Sequence, residues 1–249
     1  MSAGEANEPR QPAPPGPATK TLRPRDASTL IIVDRTADPP RVLMGRRRME
    51  QAFMPGKYVF PGGRVDKSDR LMPSADELAA ADAAKLMLAM KGGASPGRAR
   101  ALALAAIRET FEEAGLVIGT AIEPAAVTKA VPGWTDFVAH GYLPRLSALT
   151  FFARAITPPG RSRRYDTRFF CTDASAISHR SDTSDGELSG LHWLTLEDAR
   201  DLDLPTITRV ILEDLGDRLR LNQYSDTKAH IPFYHQKNGS FRRDMLALL

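Results

Sequence analysis

The sequence predicts one α/β domain, on three observations. Short runs rich in β-branched and aromatic residues, led by Thr29-Leu30-Ile31-Ile32-Val33-Asp34, are separated by Pro- and Gly-bearing turns. Two stretches, about 74–90 and 95–114, carry helix start and stop signals. A chain of 249 residues, 42% hydrophobic and 26% charged, is long enough for one sizeable core with an appended helical piece.

Residues 1–27 hold Pro9, Pro12, Pro14, Pro15, Pro17 and Pro24 and few large apolar side chains, so a flexible tail is expected there. The domain proper is expected over 28–221, followed by a C-terminal extension, 222–249. Its first strands are Thr29 to Asp34 and Arg41 to Gly45, around the turn Asp38-Pro39-Pro40. Tyr58 to Phe60 follows the turn Met54-Pro55-Gly56-Lys57 and leads into Pro61-Gly62-Gly63. Ser74-Ala75-Asp76-Glu77 has the form of a capping box, with an Ala/Leu/Met-rich run to Met90 and a stop at Gly92-Gly93. Leu78, Leu86 and Met90 recur there at helical spacing, which suits packing on the domain and a homodimer contact equally well.

Ser95 is the candidate N-cap of the next helix, Pro96 its first residue and Gly115 its terminator. Leu104, Ile107 and Phe111 are its expected buried face. Beyond it, Val117-Ile118 reads as a short strand, and Pro124 to Gly141, with Trp134, as a helix or an irregular excursion. Leu149 to Ile156, Arg164 to Thr172 and Leu191 to Leu194 read as strands, with a polar loop over Ser181 to Gly186. A helix starts at Glu197 to Asp201, and a longer one follows Pro205 through Leu221.

No apolar run approaches the roughly 18–20 residues that cross a bilayer. The first residues lack the apolar core of a secretory signal, and Ala247-Leu248-Leu249 is not the Ser-Lys-Leu peroxisomal address. The single Cys171, beside Phe169 and Phe170, suits core filling and a reducing compartment. Together these point to the cytoplasm. The net charge of +4 is concentrated in two clusters, Arg46-Arg47-Arg48 and Arg161, Arg163, Arg164 and Arg168. Short clusters suit phosphates on a nucleotide-like small molecule better than a nucleic-acid duplex, which needs an extended basic stripe.

The chemistry concentrates at Arg108-Glu109-Thr110-Phe111-Glu112-Glu113-Ala114-Gly115-Leu116. Glu109, Glu112 and Glu113 stand at i, i+3 and i+4, on one helical face. Like charges so placed destabilise a helix unless something neutralises them, and a hard cation such as Mg²⁺, which takes oxygen ligands, does so. Gly62-Gly63 permits positive φ and close backbone approach to a ligand.

These residues resemble the box of the Nudix hydrolases: Gly, five residues, Glu, seven residues, then Arg-Glu-apolar-any-Glu-Glu-any-Gly-apolar. Gly63 fits the opening glycine and Arg108 to Leu116 the second half, but Asp69 stands at the first glutamate and 38 residues separate it from Arg108. The split box is similar to that of the peroxisomal-type coenzyme A diphosphatases, as are Phe53-Met54-Pro55-Gly56, Val59-Phe60-Pro61-Gly62-Gly63 and Arg163-Arg164-Tyr165-Asp166-Thr167-Arg168-Phe169-Phe170. The likeness covers about 28–215. It implies an α/β/α Nudix sandwich with a mixed, partly barrelled sheet and a helical insertion, about 70–94, inside the box.

The resemblance also implies a metal site of Glu109, Glu112, Glu113 and the Gly63 carbonyl for Mg²⁺ or Mn²⁺. Glu109 or Glu187 then acts as base, and Glu113 completes the catalytic set. Arg108, expected to point away from the metal, orients the loop through an ion pair with Asp69 or Asp66. Arg47, Arg163 and Arg164 are the candidate substrate-binding residues. The implied reaction is hydrolysis of coenzyme A or acyl-coenzyme A to 3′,5′-ADP and (acyl-)phosphopantetheine. ADP-ribose or NADH cleavage, and a non-catalytic nucleotide- or RNA-binding module, are the alternatives. The family's arginine four residues before Gly56 is replaced by Ala52.

Overall fold

The computed structural model describes residues 22–50, 54–123, 131–182 and 187–248. Residues 1–21 of the expected tail, Ala52 and Phe53, 124–130 of the excursion around Trp134, 183–186 of the polar loop and Leu249 lie outside the described residues. In chain order come β1 (Arg25–Asp34), β2 (Arg41–Arg47), β3 (Tyr58–Val59), β4 (Gly62–Arg64), α1 (Ala80–Met87) and α2 (Pro96–Ala114). Then follow β5 (Leu116–Val117), β6 (Gly119–Ala121), α3 (Thr135–Ala139), β7 (Tyr142–Pro144), β8 (Thr150–Ile156) and β9 (Tyr165–Asp173). The last are β10 (His179–Arg180), β11 (Leu188–Thr195), α4 (Leu196–Arg200), α5 (Thr206–Arg220), β12 (Ile231–Lys237) and β13 (Ser240–Leu246).

The Leu30-Ile31-Ile32-Val33 run makes β1 the centre of the molecule. Its side chains alternate between faces: Leu30 and Ile32 join the core beneath α2, while Ile31 and Val33 join the core beneath α5. A strand buried on both faces needs a continuous apolar run rather than alternation. Among the described residues nine strands form one mixed sheet in the order β11-β2-β1-β9-β8-β12-β13, with β3 on β2 and β4 on β1. The β1–β9 and β12–β8 pairs are parallel and the rest antiparallel. Helices cover both faces, so the α/β/α layering is present. The sheet stays open, with β11 and β13 at its ends, and does not close into a barrel.

Several boundaries move. β1 starts at Arg25, inside the stretch expected to be tail, because it pairs with β9 from Arg25↔Tyr165 onward. The 222–249 stretch is no separate appendage, since β12 extends the main sheet on β8. The capping box at Ser74 does not start a helix. Ser74 Oγ donates to the Asp76 carbonyl, Glu77 is held by Arg100, and α1 begins only at Ala80. α1 ends at Met87, before the Gly92-Gly93 stop. Its apolar side packs inside the chain: Leu86 is 1% exposed and Leu78 and Met90 join the same core. Lys85 is buried too, donating to the Thr227 and Ala229 carbonyls.

α2 is capped as its sequence requires. Ser95 Oγ accepts from Arg98 N–H, Pro96 fills the first position, and Gly115 ends the helix at φ 66°. The helix is buried on most of its circumference rather than on the Leu104, Ile107 and Phe111 side alone, because β1, β4 and α1 all lie against it. Its N-terminus is pinned by Arg98 to Asp26 of β1.

Beneath it, Arg168 bonds Asp26 and Asp166, and Arg154 makes a two-pronged pair with Asp166. Arg168 is 0% exposed, so it is no member of a surface phosphate cluster. Burial pushes the Asp166 carboxyl up, but hydrogen bonds from Arg154 and the charge of Arg168 more than offset this and hold it below its ordinary value. The stability this confers is present at neutral pH and is lost as pH falls through the lowered folded value. Asp166→Asn leaves two buried guanidiniums short of an anion and is expected to cost about 3–5 kcal/mol in denaturant unfolding. A cost under about 1 kcal/mol would show that the cluster does not stabilise the fold.

Candidate functional site

The last two turns of α2 lie against β4, and β4 lies antiparallel on β1 with Ser28↔Gly63 and Thr29↔Gly62 in register. Gly62 N–H donates to Glu113 Oε2 at 2.8 Å. A Cβ on Gly63 would sit 2.3 Å from Glu109 Oε2, and one on Gly62 would sit 2.5 Å from the Ser28 carbonyl oxygen. Neither glycine has positive φ. Both are glycines for the second reason only: any side chain would collide with the carboxylate or with β1.

Arg108 does not point away from the glutamates. Its Nη1 donates to Glu109 Oε1 at 3.0 Å and Glu112 Oε2 at 2.7 Å. Nε and Nη2 bond the two oxygens of Asp69, and Nη2 also reaches the Arg64 carbonyl. Asp69 rather than Asp66 is therefore the partner acid, and it is 0% exposed. Trp134 Nε1–H and Asp66 N–H complete its hydrogen bonds. Trp134 is a functional neighbour that the sequence did not single out, since nothing in its local pattern points to a residue 65 positions upstream.

Burial decides the titration of the carboxylates. It pushes Glu109 up to about 7, with Arg108 opposing and Glu112 and Glu187 adding repulsion. It pushes Glu113 well above its ordinary value, partly offset by Gly62 N–H. The Arg108 guanidinium is also buried, but Asp69, Glu109 and Glu112 more than compensate and keep it charged. Glu187, from the loop before β11, stands close enough to Glu109 and Glu113 to repel both, and accepts from Arg47 Nη2 at 2.7 Å.

Among the described residues no three acidic, histidine or cysteine side chains are grouped so as to hold a metal ion, so the expected set of Glu109, Glu112 and Glu113 is not gathered around one point. Arg108 bridges Glu109 and Glu112, and Gly62 N–H holds one oxygen of Glu113. The donor set nevertheless suits a hard divalent cation. It consists of carboxylates, Glu113 buried and Glu109 largely so and the two mutually repelling, against a glycine with no room for a side chain.

Apart from Glu113, which is buried behind them and does not line it, these groups open onto a cavity of about 900 Å³. Gly62, Gly63, Arg108, Glu109, Glu112 and Glu187 form one wall. Met54, Val59, Phe60, Phe169, Pro205 and Ile207 supply apolar surface. Arg47, Arg163 and Arg164, the candidate substrate-binding residues, line it, although two nitrogens of Arg164 are committed to the Thr157 and Leu22 carbonyls. Arg46 braces the Gly56 carbonyl instead of joining a phosphate patch with Arg47. Leu22, Arg23, Arg25 and Arg64 also line the cavity. The first three fell in the expected tail, where only the arginines flanking Pro24 hint at them. Cys171 is buried, with its thiol pushed up to about 12 by burial, in keeping with core filling.

Among the described residues no helix is long and apolar enough to cross a membrane. The chain is similar to the acyl-coenzyme A diphosphatase NUDT19 of Gallus gallus, with 27% identity over 206 residues, 61% of this chain and 53% of that protein. It thus spans about half the length of that relative. Among solved structures it is similar to the NUDIX hydrolase from Alicyclobacillus acidocaldarius, with 27% identity, a TM-score of 0.55, and coverage of 77% of this chain and 90% of that one. The NUDIX domain profile matches residues 23–215. With that match spanning most of its length, and with the two halves of its interrupted box joined through Asp69 and Arg108, the chain belongs to the Nudix hydrolase family.

Proposed function

We propose that the protein is a divalent-metal-dependent pyrophosphohydrolase. It cleaves the phosphoric anhydride of a nucleoside diphosphate linked to a second group, with coenzyme A or its acyl derivatives as substrate, to 3′,5′-ADP and (acyl-)phosphopantetheine. The observation that carries the reading is the largely buried Glu109 carboxylate, pressed against Gly63 in the wall of a cavity lined by both cationic and apolar residues. An anhydride repels nucleophiles through its own charge, so catalysis requires cationic neutralisation and an in-line water. The apolar wall suits a pantetheine or acyl arm, and the relation to an acyl-coenzyme A diphosphatase supports that choice.

Glu109, Glu112, Glu113 and the Gly63 carbonyl would hold Mg²⁺ or Mn²⁺, which supplies charge neutralisation and a more acidic water. Glu109, pushed up to about 7, is placed to accept a proton near neutral pH. Glu187, held by Arg47, helps to set that value through its charge. Arg108 keeps Glu109 and Glu112 in register with the Asp69 loop.

Incubation with Mg²⁺ and coenzyme A, ADP-ribose, NADH or a capped RNA, with products resolved, tests the substrate. Coenzyme A cleaved at its anhydride is the expected result, and intact coenzyme A beside cleaved ADP-ribose overturns it. Glu109→Gln is expected to lower kcat by about 10²–10⁴-fold, as loss of a proton acceptor does. Gly63→Ala displaces the same carboxylate and is expected to cost roughly 100-fold in kcat/KM with little change in Tm. Ionising Glu109 costs the metal-free fold stability as pH rises toward 7, and its proton competes with the cation below 7. The rise in Tm on adding Mn²⁺ is therefore larger at pH 8 than at pH 6. An equal rise at both would disconnect Glu109 from the metal.

A further inference from the structure

Strands β1 and β9 carry arginines on both faces, and the two faces treat them differently. On the α2 side Arg98, Arg154 and Arg168 each pair with Asp26 or Asp166. On the cavity side Arg25 shares the strand face of Ala27 and Thr29, which line the cavity, and Arg23 precedes it by two. Arg64 pairs in register with Ala27 on β4. Arg163 comes from the β8–β9 turn, whose Arg164 carbonyl accepts from Arg25 N–H at 3.0 Å. Arg164 Nη1 in turn holds the Leu22 carbonyl at 2.6 Å, which draws the segment before β1 onto that turn.

Arg23, Arg25, Arg64 and Arg163 are all exposed at the cavity mouth, and none has an acidic partner among the described residues. Asp66 lies on the same rim and pairs with none of them. The other acids of the cavity are already engaged, Glu109 and Glu112 with Arg108, and Glu187 with Arg47. Four unneutralised guanidiniums are more positive charge than the anhydride at the glutamate wall accounts for. A phosphate dianion, with oxygens suited to the planar guanidinium fork, would neutralise them.

We propose that Arg23, Arg25, Arg64 and Arg163 form a second anion subsite, which holds a phosphate remote from the scissile anhydride: the 3′-phosphate of a coenzyme A-type substrate. The proposal rests on the function above only for which substrate carries that phosphate. The subsite makes the 3′-phosphate a determinant of specificity, and the segment before β1 part of the binding site.

Calorimetric binding of adenosine 3′,5′-bisphosphate and of 5′-AMP, each with Mg²⁺, tests it without turnover. The wild-type protein should bind the bisphosphate roughly tenfold or more tightly, the scale of one or two charge-assisted contacts. In the Arg23→Ala/Arg25→Ala variant that ratio should fall toward one. Arg23→Lys/Arg25→Lys should retain part of it, and both variants keep the main-chain bonds of β1. Equal wild-type affinities for the two nucleotides overturn the subsite, as does discrimination that survives the double alanine variant. A wild-type protein that discriminates between the nucleotides yet leaves coenzyme A intact would sink the substrate assignment and keep the subsite.

Discussion

The site depends on one buried ion pair, Arg108 with Asp69. A guanidinium has five N–H donors, and in Arg108 all five are directed at acceptors: two at Asp69, one each at Glu109, Glu112 and the Arg64 carbonyl. With Arg108 3% exposed and Asp69 0%, neither charge is tolerable alone. Together those five bonds constrain three pieces of the site: the loop before α1, the end of β4 and the glutamate-bearing turn of α2. Lysine, a single ammonium with three donors, has neither the planar fork nor the reach to meet all five.

The rest of the glutamate face is arranged around absent side chains. Gly62 lets β4 lie on β1 and aims its N–H at Glu113, while Gly63 leaves the room Glu109 occupies. The consequence is electrostatic. Carboxylates packed against backbone lose water, and Glu109 and Glu113 rise accordingly. Ionising both carboxylates thus sets up a repulsion that the proposed cation would relieve. The same packing that gives the site this appetite makes it intolerant of a single added carbon at Gly63.

Much of this is legible in the sequence itself. The Leu30 to Val33 run, the Ser95-Pro96 start and Gly115 stop of α2, and the three-glutamate spacing are local signals, and local signals survive folding. The errors arise where tertiary contacts override them. Ser74 to Glu77 matches a capping pattern, but Arg100 claims Glu77 and α1 starts later. Arg161, Arg163, Arg164 and Arg168 look like one cluster along the chain. Strand alternation and Asp166 bury Arg168, while Arg163 stays at the rim. The segment before β1 reads as tail because its composition is proline-rich, yet pairing with the β8–β9 turn puts it at the cavity. No one-dimensional pattern carries the contact between Trp134 and Asp69.

The interrupted box follows from the same contacts. Lengthening a loop raises closure entropy only logarithmically, about 0.6 kcal/mol per doubling, so separating Asp69 from Arg108 costs little if both ends stay anchored. The near end is anchored by the Asp69 bonds to Asp66 N–H and Trp134, and the far end by α2 itself. The inserted residues are then ordered by their own packing. Arg100 holds the Met72 carbonyl, Asp82 accepts from Phe151 N–H of β8, Arg154 holds the Leu88 and Ala89 carbonyls, and Lys85 reaches the segment before β12. A helix fastened at so many points acts as part of the sheet's outer layer. It tightens the scaffold beneath α2 without entering the cavity, which explains how the box can be split and its chemistry kept together.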